Sequence, residues 1–170
     1  MRLDRLGRGG LLAAPCLLLA FLVGCAPAAP PAGPSLASPV PPGVARIWFY
    51  RDMDPYESLA TPVVHIDGAA AGVSDPGGAF YRDVAPGRHQ VSVDSYVDDG
   101  NQTRLVDLAS GSGAYVRVVP FPDIVQGGGE HSGGYHRNSY YLWLYPPEAA
   151  RPAIAHLYLE AGGPVAAAPR

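Results

Sequence analysis

Two kinds of hydrophobic pattern run along the chain. Residues 11–23 form an apolar stretch broken only by Pro15. It is shorter than the about 20 residues a helix needs to cross a bilayer. From Val44 onward, apolar and polar residues alternate with period two, the signature of half-buried strands. Ile47 and Phe49 alternate with Arg46, Trp48 and Tyr50, and Val64 and Ile66 alternate with His65 and Asp67. Val91, Val93 and Val97 face away from Gln90, Ser92 and Asp94. Residues 103–108 and 114–120 continue the theme, and in residues 140–145 Leu142 and Leu144 alternate with Tyr141, Trp143 and Tyr145.

Turn chemistry separates these segments: Asp67-Gly68, residues 75–78, Ala85-Pro86-Gly87 and Asp98-Asp99-Gly100-Asn101. Asp-Gly supplies the positive φ that tight hairpins need. Short strands at this spacing predict an all-β sandwich of about seven strands. Residues 148–159 are Ala-rich with Pro152 near the start, which predicts a short C-terminal helix of about ten residues. Ile154, His156 and Tyr158 also alternate, which keeps a terminal strand as the alternative. Residues 161–170 are expected to be a disordered tail.

Composition supports the β reading. The chain has 21 Gly and 19 Pro among 170 residues. A Gly in a helix interior costs about 1 kcal/mol and a Pro about 3, which argues against a helix bundle. Hydrophobic residues are 48% of the chain, too many for a wholly disordered polymer. Seven of the prolines fall in residues 26–43, which hold no charge. That stretch is expected to be an extended tether, at about 3.1 Å per residue.

The N-terminus has its own chemistry. Arg2, Arg5 and Arg8 against Asp4 precede the apolar run, as in a signal peptide. The run ends in Leu22-Val23-Gly24-Cys25, which resembles the lipobox of bacterial lipoproteins. The resemblance implies a diacylglyceryl thioether on Cys25, cleavage after Gly24 and acylation of the new amine. Two or more acyl chains anchor stably where one does not. A secretory signal cut after Ala28, or an uncleaved anchor helix, are the alternatives. Ala26 after the cysteine implies, by the same resemblance, an outer-membrane position facing the periplasm. Cys16 would leave with the signal peptide, so no thiol would remain for a disulfide, a metal or a nucleophile. The mature chain would carry nine Arg and fourteen acids, a net charge of −5, which disfavours nucleic acid as a partner.

A further resemblance rests on residues 63–91. The run Val63-Val64-His65-Ile66-Asp67-Gly68, a second glycine at Gly72, the aromatic pair Phe80-Tyr81 and then Pro86-Gly87-Arg88-His89 resembles the PEGA-type module. With Tyr50-Arg51 upstream and Gly113-Ala114-Tyr115 downstream, the chain is similar to small bacterial lipoproteins carrying such a module, a family of unknown function. The resemblance covers residues 45 to about 159 and implies an open prealbumin-like β-sandwich and no activity. Two departures stand out: Ser110-Gly111-Ser112-Gly113 where one glycine is usual, and a Gly-rich insertion after residue 124.

Few residues offer chemistry. Residues 127–136 hold five glycines with Glu130, His131 and His136, weak candidates for a metal, which needs three or more converging ligands. A solvent-facing loop is the simpler reading. Asp52, Asp54 and Glu57 loosely suggest Ca²⁺ ligands, but the glycine such a loop needs at its sixth position is replaced by Glu57. His89 is expected to bond backbone at a strand start, and Asn101-Gln102-Thr103 to be a hairpin turn rather than a glycosylation site. There is no G-x-S-x-G elbow, H-E-x-x-H or P-loop. Tyr141, Trp143 and Tyr145 would share one face, either as a binding surface or as sheet-stabilising aromatics under the C-terminal segment. The expectation is a non-enzymatic, lipid-anchored envelope protein without a cofactor. It would be held to the membrane through Cys25 and would bind an envelope protein or glycan through Tyr141, Trp143 and Tyr145. The alternatives are a metal-dependent protein or enzyme using residues 127–136, or a structural envelope protein with no ligand.

Overall fold

The structure, a computed structural model, describes residues 35–54, 58–125, 135–160 and 163–164, with side chains left out at 122–125, 135–137 and 163–164. Every described residue lies in one compact unit, which begins at residue 32.

That unit is the all-β sandwich the alternation predicts. Among the described residues it has ten strands: β1 (Ala45–Tyr50), β2 (Val63–Ile66), β3 (Ala69–Val73), β4 (Gly78–Val84), β5 (Gly87–Val93), β6 (Thr103–Leu108), β7 (Gly113–Val125), β8 (Tyr135–Tyr145), β9 (Tyr158–Leu159) and β10 (Gly163–Pro164). One helix, α1 (Pro147–Ile154), follows β8. It starts on Pro146-Pro147, where a missing N–H costs nothing. The helical half of the C-terminal expectation is therefore right for residues 147–154, and the strand alternative holds for Tyr158–Leu159. Gly163 and Pro164, expected in a disordered tail, bridge to Arg82 and Asp83 of β4.

One sheet runs β10-β4-β1-β7-β8, with β9 also on β4, and the other runs β3-β2-β5-β6. Strand β1 is central, antiparallel to β4 and parallel to β7. Between the sheets lie Ile47, Phe49, Val64, Ile66, Phe80, Val91, Val106, Val116, Val118 and Leu142. At Gly72 the sheets come so close that a Cβ would sit 2.7 Å from the Phe80 ring.

A second core occupies the outer face of the five-strand path. Trp48, Tyr50, Ala79 and Tyr115 lie under Ala150 and Ile154 of α1, with Leu36, Tyr81, Tyr145, Leu157 and Leu159 packed against them. This corrects the expected polar face of β1: all six of its residues are buried. Arg46 survives there because each of its guanidinium nitrogens has a hydrogen-bond partner. It grips Asp83 through Nε (2.7 Å) and Nη2 (3.0 Å), donates to the Ser38 carbonyl (2.9 Å), and lies 3.8 Å from the Tyr81 ring centre. The bond to Asp83 raises its pKa further. The Ser38 and Leu36 contacts also correct the tether. Its last residues, from Ser35, are docked on the domain rather than extended away from it.

Candidate functional site

The candidate surface begins where β7 and β8 outrun the rest of their sheet. The β1–β7 pairing ends at Tyr50 opposite Arg117, but the β7–β8 ladder continues to Val125 opposite Tyr135. The strand passes through Pro120 and Pro122, which extends the expected 114–120 segment. The reason is register. Tyr140 donates its N–H to Ser95 Oγ (2.9 Å) and Leu142 donates to the Asn101 carbonyl (2.9 Å), so even positions of β8 point their backbone away from β7. Pro120 opposite Tyr140 and Pro122 opposite Asn138 are therefore non-hydrogen-bonded pairs. Their missing N–H groups fall on the side where β1 has already ended.

The three predicted aromatics separate along this ribbon. Tyr145, opposite Tyr115, belongs to the covered core: its ring meets Tyr50 edge-on at 6.3 Å and its hydroxyl accepts from Arg117 at 3.5 Å. Burial pushes the Tyr50 hydroxyl up to about 12. Tyr145 is thus half-buried and packs within this covered cluster. Trp143, opposite Arg117, is 41% exposed. The Tyr141 ring lies tilted against Phe121, with centroids 4.6 Å apart, and Phe121 is itself 38% exposed; Tyr141 donates its hydroxyl to Asp99 Oδ2 at 2.8 Å. Asp99 lies below the usual carboxylate range, chiefly because the Asn101 N–H bonds it and then because Tyr141 does. Leu144, expected in the core opposite this face, is 47% exposed.

Phe121 and Arg117 were not singled out by the sequence. The flanking prolines disguised Phe121 as a strand end, and nothing in the alternation distinguishes Arg117. Arg117 pairs with Asp52 at 2.5 Å, so one of the three suggested Ca²⁺ ligands serves an ion pair. Glu57 lies outside the described residues, and no group of three metal-ligating side chains occurs among those described. Glu130 and His131 lie outside them too, as does Cys25. His136 stands in β8 opposite Ile124, so the Gly-rich insertion is framed by strand on both sides. No helix among the described residues is long and apolar enough to cross a membrane.

His89 sits at the β4–β5 turn as expected, with one more partner than predicted. Nε2 meets the Ala85 carbonyl at 2.7 Å and Nδ1 meets Asp67 Oδ2 at 2.7 Å. Both partners are acceptors, so the doubly protonated ring satisfies both. Desolvation is the largest influence and opposes the charge, but the bonds to Asp67 and Ala85 prevail and raise the pKa. Asp67, at φ 52° in the β2–β3 turn, also accepts from the Gln90 N–H at 2.9 Å. Asn101 lies in a turn, as expected: its N–H donates to Asp99 Oδ1 at 3.0 Å.

These turns and strands are shared with a known family. Residues 41–141 match the family described as "Protein of unknown function (DUF2846)". The chain belongs to that family. The DUF2846 match takes in β1 to β6 and β7, and stops at Tyr141, inside β8. Trp143, Tyr145 and α1 therefore lie beyond the matched DUF2846 segment. No curated protein and no solved structure matches the chain.

Proposed function

We propose that this DUF2846 protein is a lipid-anchored cell-envelope protein that acts by binding rather than catalysis. Phe121, Tyr141 and Trp143 form its contact surface for an envelope protein or glycan. One observation carries the binding surface: beyond the cover of α1, the same aromatic face continues with Trp143 and Phe121 exposed, and the Tyr141 ring packed against Phe121. Such rigid aromatics present large contact area at little entropic cost. The anchor is supported by Arg2, Arg5 and Arg8, by the apolar run, and by Leu22-Val23-Gly24-Cys25. Ala26 favours the outer membrane. The kinship with PEGA-like modules of small bacterial lipoproteins belongs to the same proposal, and the Asp67-Gly68 turn and Pro86-Gly87-Arg88-His89 support it. The non-enzymatic reading is supported by the way strongly bonded side chains are used: Arg46, Arg51 and His89 all tie down backbone.

Two measurements test the two halves of the proposal. Metabolic labelling with a fatty acid should mark the wild type and not Cys25→Ser, and label retained in that variant ends the anchor. A photocrosslinking residue at position 143 should give a discrete adduct in intact cells, while one at position 105, exposed on the other sheet, should not. Identical adducts at both positions, or none at 143, would end the contact surface.

A further inference from the structure

A groove of about 340 Å³ opens on the other side of β8 from Trp143. It is lined by Ala60, Thr61, Pro62 and Val63 before and at the start of β2, by Asp94, Ser95 and Tyr96 after β5, and by Asn138 and Tyr140 of β8. Side chains alternate along a strand, so Asn138 and Tyr140 face away from Tyr141 and Trp143. The groove is therefore a separate site, and it does not depend on the contact surface proposed above.

Its walls are built rather than incidental. Arg51, fully buried, donates to the carbonyls of Ala60 (2.8 Å), Ser74 (3.4 Å) and Ser58, and lies over the Tyr140 ring. Tyr140 in turn donates its hydroxyl to the Ala60 carbonyl at 3.2 Å. One guanidinium and one phenol thus hold the 58–62 wall against β8. The opposite wall is tied by Asp94 N–H to the Val63 carbonyl (2.9 Å) and by Ser95 Oγ to Tyr140 N–H (2.9 Å). The Asp94 carboxylate is oriented by His65 Nε2 at 2.9 Å yet stays largely exposed. Preformed walls of this kind lower the ordering cost of binding.

The lining chemistry selects the ligand. Its volume is at the small end for ligand sites. No lining residue is cationic and one is a carboxylate, which disfavours phosphates and other anions. A single carboxylate is too few ligands for a metal. The lining offers a carboxylate, an amide, the aliphatic hydroxyls of Thr61 and Ser95, the phenols of Tyr96 and Tyr140, and the half-exposed ring of Tyr96. Carboxylate and amide pair with vicinal hydroxyls, and an aromatic ring stacks on the C–H face of a sugar. We propose that this groove binds a neutral saccharide of about two rings, with Asp94 and Asn138 taking hydroxyls and Tyr96 the apolar face.

The test is calorimetric titration of the full chain with maltose, cellobiose and di-N-acetylchitobiose, and separately with spermidine. At least one disaccharide should bind with Kd of about 1 mM or tighter. Asp94→Asn and Tyr96→Ala should each weaken it about tenfold or more, at unchanged melting temperature. Should one variant melt early, the other carries the test. No disaccharide binding, binding untouched by both folded variants, or binding of spermidine alone would overturn the proposal. The last result would make the groove a site for cationic amines instead.

Discussion

The outer face of the larger sheet has two halves that read alike in sequence and behave differently. Under α1, Trp48, Tyr50, Tyr115 and Tyr145 are core residues. Further along the same face of the β7–β8 ribbon, Phe121 and Trp143 are exposed beside the half-buried Tyr141. Both halves have aromatics at alternate positions with period two. What separates them is cover: Ala150 and Ile154 pack on the first, while Phe121 and Trp143 of the second stay exposed. An aromatic stripe therefore reports a face, and only the neighbouring layer reports whether that face is core or contact.

The comparison can be broken most directly at the cover. Ile154→Ala opens a cavity over Trp48 and Tyr50 and should cost about 3 kcal/mol, read as a lower urea midpoint. A loss no greater than that of an ordinary surface change would mean that α1 does not shield this half.

Next in size is the polar anchor of the covered half. Arg46→Lys keeps a charge but loses the two-pronged grip on Asp83 and the flat contact with Tyr81. It should cost about 1–2 kcal/mol in equilibrium unfolding. Full stability in that variant would show that charge alone suffices.

On the other sheet, the His89–Asp67 pair adds a pH dependence. His89 has a folded pKa above its unfolded value, so its contribution is full below about pH 6.5 and lost as pH rises through the folded pKa. Asp67 is shifted down: desolvation acts upward, but the bonds from His89 and Gln90 outweigh it. Its contribution is present above about pH 3.9 and lost as pH falls. The pair should therefore stabilise most between those limits, by less than about 1 kcal/mol because Asp67 is half exposed to screening solvent. Unfolding at roughly pH 5 and pH 8 should show the difference in the wild type and not in His89→Ala. An equal difference in both proteins would assign it elsewhere.

The smallest effect lies on the bare half. Trp143→Phe should change stability by no more than about 0.5 kcal/mol. The chain has two tryptophans, 41% exposed at 143 and 3% at 48. Acrylamide should quench the fluorescence of Trp48→Phe strongly and that of Trp143→Phe weakly. Equal quenching would erase the distinction between the two halves.

Much of the fold was legible along the chain. Period-two alternation located β1, β2, β5, β6 and β8, and Asp67-Gly68 marked a hairpin whose positive φ the structure contains. Two features misled. Pro120 and Pro122 look like strand breakers, but a strand whose neighbour has ended does not need their N–H groups. Arg46 looks like a solvent-facing residue, but Asp83 and Tyr81 of β4 and Ser38 from the stretch before β1 gather to receive it. The groove was not legible at all, because Ala60, Asp94 and Asn138 are far apart along the chain.

Local physics sets what alternation can say: which residues share a face, where the chain reverses, and that the fold is β. Those are properties of a few consecutive φ and ψ angles and side-chain directions. Which face is covered, where a strand outlives its neighbour, and how Arg51 and Tyr140 wall a groove depend on contacts between distant segments. Those contacts exist only once loop-closure entropy has been overcome and the layers have met.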